Sequence, residues 1–100
     1  EQHGVVRITG ETDRIYLDVE KPLVIRDPVW ERGIHIQASG SRSAVVWNPW
    51  TDKAARLSQF PDDAWQQMLC IETARVWDDV MSVAPGRSET MRVEIWSEPL

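Results

Sequence analysis

The residues best suited to chemistry lie in Met68-Leu69-Cys70-Ile71-Glu72-Thr73, an apolar run that carries one carboxylate. If the run is a strand, Met68, Cys70 and Glu72 share one side, and Leu69, Ile71 and Thr73 share the other. Glu72 then stands among apolar neighbours. Desolvation disfavours the charged form of a carboxylate, so a glutamate held there moves toward neutrality and can work as a general base. The simpler reading of the same alternation is a glutamate at a strand end that reaches water.

Few other residues compete for a chemical role. The single Cys70 excludes an intramolecular disulfide, and with only two histidines the chain offers no Cys/His metal-ligand spacing. The adjacent carboxylates Asp78 and Asp79 read as a polar turn, since neighbouring side chains point apart on a strand or helix and no third ligand is evident. No metal is expected. His35 alternates with Ile34 and Ile36, which marks it as an exposed or hydrogen-bonded strand residue. A lone phosphate would need only a local cluster of cations, but the arginines are spread along the whole sequence and their spacing selects none of them.

The elements that must position Glu72 are mostly strands. Val5-Val6-Arg7-Ile8 is short and β-branched, Arg14 to Val19 alternates Ile15, Leu17 and Val19 with polar residues, and Pro22 to Asp27 is closed by Pro28. Ile34 to Ala38 alternates again, and Ala44-Val45-Val46-Trp47 reads as a buried strand stopped by Asn48-Pro49. Thr51 can cap a short helix over 52–57, and 61–67 can form one further turn that delivers the chain into the strand of Glu72. Val80 to Val83 and Thr90 to Trp96 complete the pattern around the turn Ala84-Pro85-Gly86. Met91, Val93 and Ile95 give the last strand an apolar face. Seven or eight strands with one or two helical turns predict an antiparallel all-β chain, with a β-sandwich as the expected architecture and residues 1–100 as one domain.

Composition bounds the partners. The chain has 100 residues, 42% of them apolar and 27% charged, which suits a small globular unit. A net charge of −5 argues against general nucleic-acid binding, which needs a basic face. Six tryptophans are expected mainly in the core, with sugar stacking as the other use of an indole face. No basic-then-apolar leader opens the sequence and no apolar run is long enough to span a bilayer, so a cytoplasmic location without membrane contact is expected.

Several motifs in order carry a resemblance: Val45-Val46-Trp47-Asn48-Pro49-Trp50-Thr51-Asp52-Lys53-Ala54, then Pro61-Asp62-Asp63-Ala64-Trp65 running into Cys70-Ile71-Glu72-Thr73, then Ala84-Pro85-Gly86. The sequence resembles the hexose-6-phosphate mutarotases, or glucose-6-phosphate 1-epimerases, a branch of the aldose 1-epimerase group. The resemblance implies part of a galactose mutarotase-like supersandwich and a sugar phosphate as the small-molecule partner. It also implies no cofactor, because ring opening and closing runs on two proton-transfer groups. The family's base is a glutamate in a Cys-x-Glu stretch, which corresponds to Glu72. An aspartate in its Thr-Asp-Arg stretch contacts the sugar, and Asp13 matches it; without the motif, Asp13 would read as a turn residue capping its own backbone.

The family's acid is a histidine in an upstream part that this sequence does not match, and neither His3 nor His35 sits in a corresponding motif. The chain is therefore expected to be the C-terminal portion of such an enzyme. Non-catalytic sugar binding, with Trp47 or Trp50 as a stacking platform, and a purely structural piece are the alternatives. A portion of a larger fold should expose strand edges and an uncovered apolar face, which favours self-association.

Overall fold

A computed structural model describes residues 4–100. His3 lies outside the described residues. The chain is rich in β-structure, with strands β1 (Thr12–Tyr16), β2 (Leu23–Asp27), β3 (Arg32–Ser39), β4 (Ser43–Asn48), β5 (Cys70–Ala74) and β6 (Arg92–Pro99). One helix, α1 (Trp50–Arg56), and two 3-10 turns, Ala64–Gln67 and Trp77–Asp79, make up the rest of the regular structure among the described residues. The strands form two three-stranded sheets, β1-β4-β5 and β2-β3-β6. The all-β expectation holds. The chain also divides into two compact units, one holding residues up to Ile15 together with Val45–Glu72, the other Tyr16–Ala44 and Thr73–Leu100.

In the β1-β4-β5 sheet the organising strand is β4, which lies in the middle. Ala44 and Val46 are buried, and so are the polar Ser43 and Asn48 at its two ends. Pro49 stops the strand because it has no N–H to give to a ladder, and it is itself fully buried. Helix α1 follows at once, but Thr51 does not cap it. Trp50 opens the helix with φ 59, a left-handed conformation uncommon for a bulky residue. Its N–H donates to the Asn48 Oδ1 at 2.8 Å. A side-chain oxygen two residues upstream thus meets the helix start, and Thr51 lies inside the helix.

In the second unit the sheet is an antiparallel meander in space. β2 pairs with β3 from Leu23 opposite Ile36 to Asp27 opposite Arg32, and β3 pairs with β6 from Arg32 opposite Pro99 to Ser39 opposite Arg92. Asp27 closes the β2–β3 hairpin. Its carboxylate accepts the Arg32 Nε–H at 3.0 Å and the Trp30 N–H at 3.3 Å. The Arg32 bond chiefly holds the Asp27 carboxyl below the usual carboxylate range, against a smaller opposing effect of burial.

Asp79 makes a second tie. Its Oδ2 accepts the Arg42 N–H at 2.9 Å and the Ser43 hydroxyl at 2.8 Å, so the turn Trp77–Asp79 is fastened to the segment that enters β4. Those two bonds, the backbone one first, lower its pKa. Arg75 adds to the tie by donating to the Asp79 carbonyl at 2.8 Å.

Four expectations need correction. Val5–Ile8 and Val80–Val83 are not strands: Val5, Val6, Val80 and Val83 are all exposed, and a β-branched run without a neighbour to bond has no ladder to join. β1 begins earlier than its alternation suggests and ends at Tyr16, because Asp18 takes φ 55 and turns the chain. The tryptophans are not core residues. Trp30 and Trp77 are 73% and 63% exposed, Trp96 is exposed as well, and Trp47, Trp50 and Trp65 are half-buried.

Candidate functional site

Glu72 sits in the middle of β5, and β5 is delivered by the turn Ala64–Gln67 and by Asn48. The Asn48 side chain is 3% exposed as a residue, and its Nδ2 donates to the carbonyls of Trp65 and Met68, each at 2.9 Å. Its Oδ1 is occupied by the Trp50 N–H. One amide thus joins the end of β4, the start of α1, the 3-10 turn and the last residues before β5. Each of those backbone groups would be costly to leave unpaired. The arrangement fixes where Cys70 begins the strand, and with it which way Glu72 faces.

The aromatic residues around this amide pack on one another. Trp50 and Trp65 meet with ring centroids 4.4 Å apart at a tilt of 48°, and the Lys53 ammonium lies 5.6 Å from the centroid of the Trp47 ring. The rings weighed as sugar platforms are therefore already engaged on one face, Trp50 by indole and Trp47 by a cation.

Glu72 is exposed, while Ile71 and Thr73 beside it are half-buried. The apolar surround that alternation implied is not formed by the described residues, and that expectation is corrected. Alternation over 68–73 does not separate a covered from an open side: Met68 lies before β5, Leu69, Cys70 and Ile71 are as half-buried as Met68, and only Glu72 is exposed. The Cys70 thiol feels both conditions. Burial pushes its pKa up, and the negative charge of Glu72 adds to the rise.

Asp13 lies inside β1 and is exposed. It is a strand residue and not a turn cap; the local turn bond belongs to Thr12, whose hydroxyl donates to the Gly10 carbonyl at 3.0 Å. β1 and β5 are the two outer strands of one sheet with β4 between them. The two motif carboxylates are thus 59 positions apart in sequence and lie on strands of one sheet with a single strand between them.

The histidine of the second unit is committed elsewhere. His35 stacks on Trp96 with centroids 5.2 Å apart at 13°, and its Nε2 lies 3.2 Å from a Glu98 carboxylate oxygen. Among the described residues no three of His, Cys, Asp and Glu gather in a way that would hold a metal ion, and Asp79 spends its carboxylate on Arg42 and Ser43. No helix among them is long and apolar enough to cross a membrane. What sequence reasoning missed is Asn48. Its only signal was the Asn-Pro pair, which marks a strand end without revealing that the amide reaches 17 and 20 residues ahead.

Comparison with known proteins adds a lineage to this geometry. The sequence matches the aldose 1-epimerase family over residues 1–96. It is 30% identical over 99 residues to a protein of Cenchrus ciliaris named "Putative glucose-6-phosphate 1-epimerase". Proteins of the same name from Salmonella typhimurium and Escherichia coli are each 31% identical to it, over 70 and 71 residues. These alignments cover 99%, 70% and 71% of the chain, which spans 30% of the Cenchrus protein and 24% of each bacterial one. No solved structure matches the chain.

Proposed function

This chain belongs to the aldose 1-epimerase family, and on that footing we propose that it is the C-terminal portion of a hexose-6-phosphate mutarotase. In this reading it supplies the base and one sugar contact for interconverting the α and β anomers of glucose 6-phosphate or a related aldose phosphate. The observation that carries the reading is the placement of Asp13 and Glu72, the two residues of the family motifs, on the outer strands of one sheet. The names of the relatives support the phosphorylated substrate.

The chemistry is a pair of coupled proton transfers. Glu72 takes the proton from the C1 hydroxyl as the C1–ring oxygen bond breaks and its electron pair passes to the ring oxygen, which an acid protonates. The product is the open-chain aldehyde. Rotation about C1–C2 turns the other carbonyl face toward the C5 hydroxyl; the steps then reverse, Glu72 returning its proton to the carbonyl oxygen. Asp13 holds a sugar hydroxyl so that only the reacting end rotates. Exposure of both carboxylates leaves them open to a ligand. The acid and the phosphate grip belong, in this proposal, to the longer parent.

A chimera tests the assignment: these residues replace the matching segment of the Cenchrus ciliaris relative, and NMR magnetisation exchange between the anomers of glucose 6-phosphate is measured. We expect the chimera to accelerate exchange, and its Glu72→Gln variant to lose about 10²–10⁴-fold of that rate while still folding. Exchange that persists in the variant removes Glu72 as the base. Sugar-phosphate binding without turnover is the second reading for the isolated chain, favoured by the engagement of His35 with Trp96 and Glu98. It predicts a ligand-dependent change in tryptophan fluorescence at an unchanged exchange rate.

A further inference from the structure

The second sheet ends on β6, which pairs with β3 along its length and, among the described residues, with no strand on its other side. All of its residues are exposed. Such an edge offers a row of free backbone donors and acceptors, a template for another strand. Its side chains divide cleanly. Val93, Ile95, Ser97 and Pro99 lie on the face of Ala38, Ile36, Ile34 and Arg32, while Arg92, Glu94, Trp96 and Glu98 lie on the face of Ser39, Gln37, His35 and Gly33. The apolar stripe is covered at Ile36, 9% exposed, and uncovered at Ile95, 65% exposed. It therefore runs off the edge of the sheet.

A strand that meets its own copy about a two-fold axis runs antiparallel to it with the same face up, so only residues of one face oppose one another. Charge then discriminates among registers. A pairing centred on Glu94 sets that glutamate against itself, and one centred on Trp96 sets Glu94 against Glu98 twice; like charges directly opposite are unfavourable. Centres at Val93 or Ser97 engage much less of the strand.

The pairing centred on Ile95 is different. It sets Arg92 against Glu98 twice, Val93 against Ser97, Glu94 against Trp96, and Ile95 against Ile95. Glu98 is already held in place, accepting the Trp96 Nε1–H at 3.3 Å and lying 3.2 Å from the His35 Nε2, and a carboxylate has lone pairs left for a guanidinium.

We propose that a second copy of this chain docks on the β6 edge in the register centred on Ile95, joining two three-stranded sheets into one of six strands. The Val93 and Ile95 stripe then continues across the two-fold axis, and each Arg92 meets the other copy's Glu98.

Sedimentation velocity of these 100 residues across the micromolar range tests this. The expected result is a concentration-dependent monomer–dimer equilibrium. Arg92→Glu turns both charge pairs repulsive and should weaken the dimer about tenfold or more; adding Glu98→Arg should recover part of the loss. An independent variant leaves the charges alone: in a Cys70→Ser background, Ile95→Cys should oxidise to a disulfide-linked dimer, because only this register brings residue 95 opposite itself. A chain that stays monomeric throughout overturns the proposal. So does a dimer indifferent to Arg92→Glu, or one that Ile95→Cys does not cross-link.

Discussion

β4 and β6 have similar numbers of apolar residues and opposite fates. In Ser43–Asn48 the backbone is flanked by strands on both sides, four of six residues are buried, and the polar ends Ser43 and Asn48 are bonded to Asp79 and to three backbone groups. In Arg92–Pro99 every residue is exposed and, among the described residues, no strand pairs with one side of the backbone. The difference teaches that alternation decides only which residues travel together. Whether they become core depends on a partner, and β4 has its partners within the chain.

The contrast can be broken first at Asn48. Asn48→Ala leaves the carbonyls of Trp65 and Met68 and the N–H of Trp50 without their partner, and should cost about 2–4 kcal/mol, read from urea unfolding. If the loss is below about 0.5 kcal/mol, the block around β4 is not held by that amide.

Gly40 tests how the end of β3 is closed. It has φ +74, and a Cβ there would run into the Thr90 carbonyl oxygen. Gly40→Ala should therefore destabilise by about 1–3 kcal/mol, seen as a lower thermal midpoint.

Asp79 sharpens the comparison through pH. Its folded pKa lies below the unfolded value, near 3.9 for an ordinary aspartate. Its contribution is thus fully present above that value and is lost as pH falls through the lower, folded one. Wild type should lead Asp79→Asn in stability at pH 6, with the lead shrinking below about pH 3.9. An unchanging lead across that range means the carboxylate's charge does not hold the tie.

The smallest effect is expected at β6. Ile95→Thr, 65% exposed at present, should change monomer stability by no more than about 0.5 kcal/mol in dilute solution, whereas an equally mild cut at Val46, 8% exposed, should cost about 1 kcal/mol. Equal losses at the two positions would erase the distinction drawn between the strands.

Much of the fold is legible in residue order. β2 and β3 alternate visibly, β4 is a continuous apolar run stopped by Asn48-Pro49, and β5 is framed by turn formers. The failures share a cause. Among the described residues, Val5–Ile8 and Val80–Val83 have strand composition without a strand neighbour, and Glu72 has apolar company along the chain without a cover through space. Those are properties of tertiary partners, which short-range pattern does not contain. Asn48 was missed for a related reason, because its bonds reach far ahead to carbonyls that any residue could present. Glu72 is marked by its apolar run and then by motif, Asp13 by motif alone; since both are exposed, it is the motifs that set them apart from other exposed carboxylates.

The most direct test of the account asks where this chain meets a sugar phosphate. Amide shifts of the labelled 100 residues, followed as glucose 6-phosphate is added to millimolar excess, should move on β1 and β5 around Asp13 and Glu72 and shrink in Asp13→Asn and Glu72→Gln. Shifts confined to the β2-β3-β6 sheet, or shifts that both variants leave unchanged, would contradict the assignment of the first sheet as the sugar-binding one.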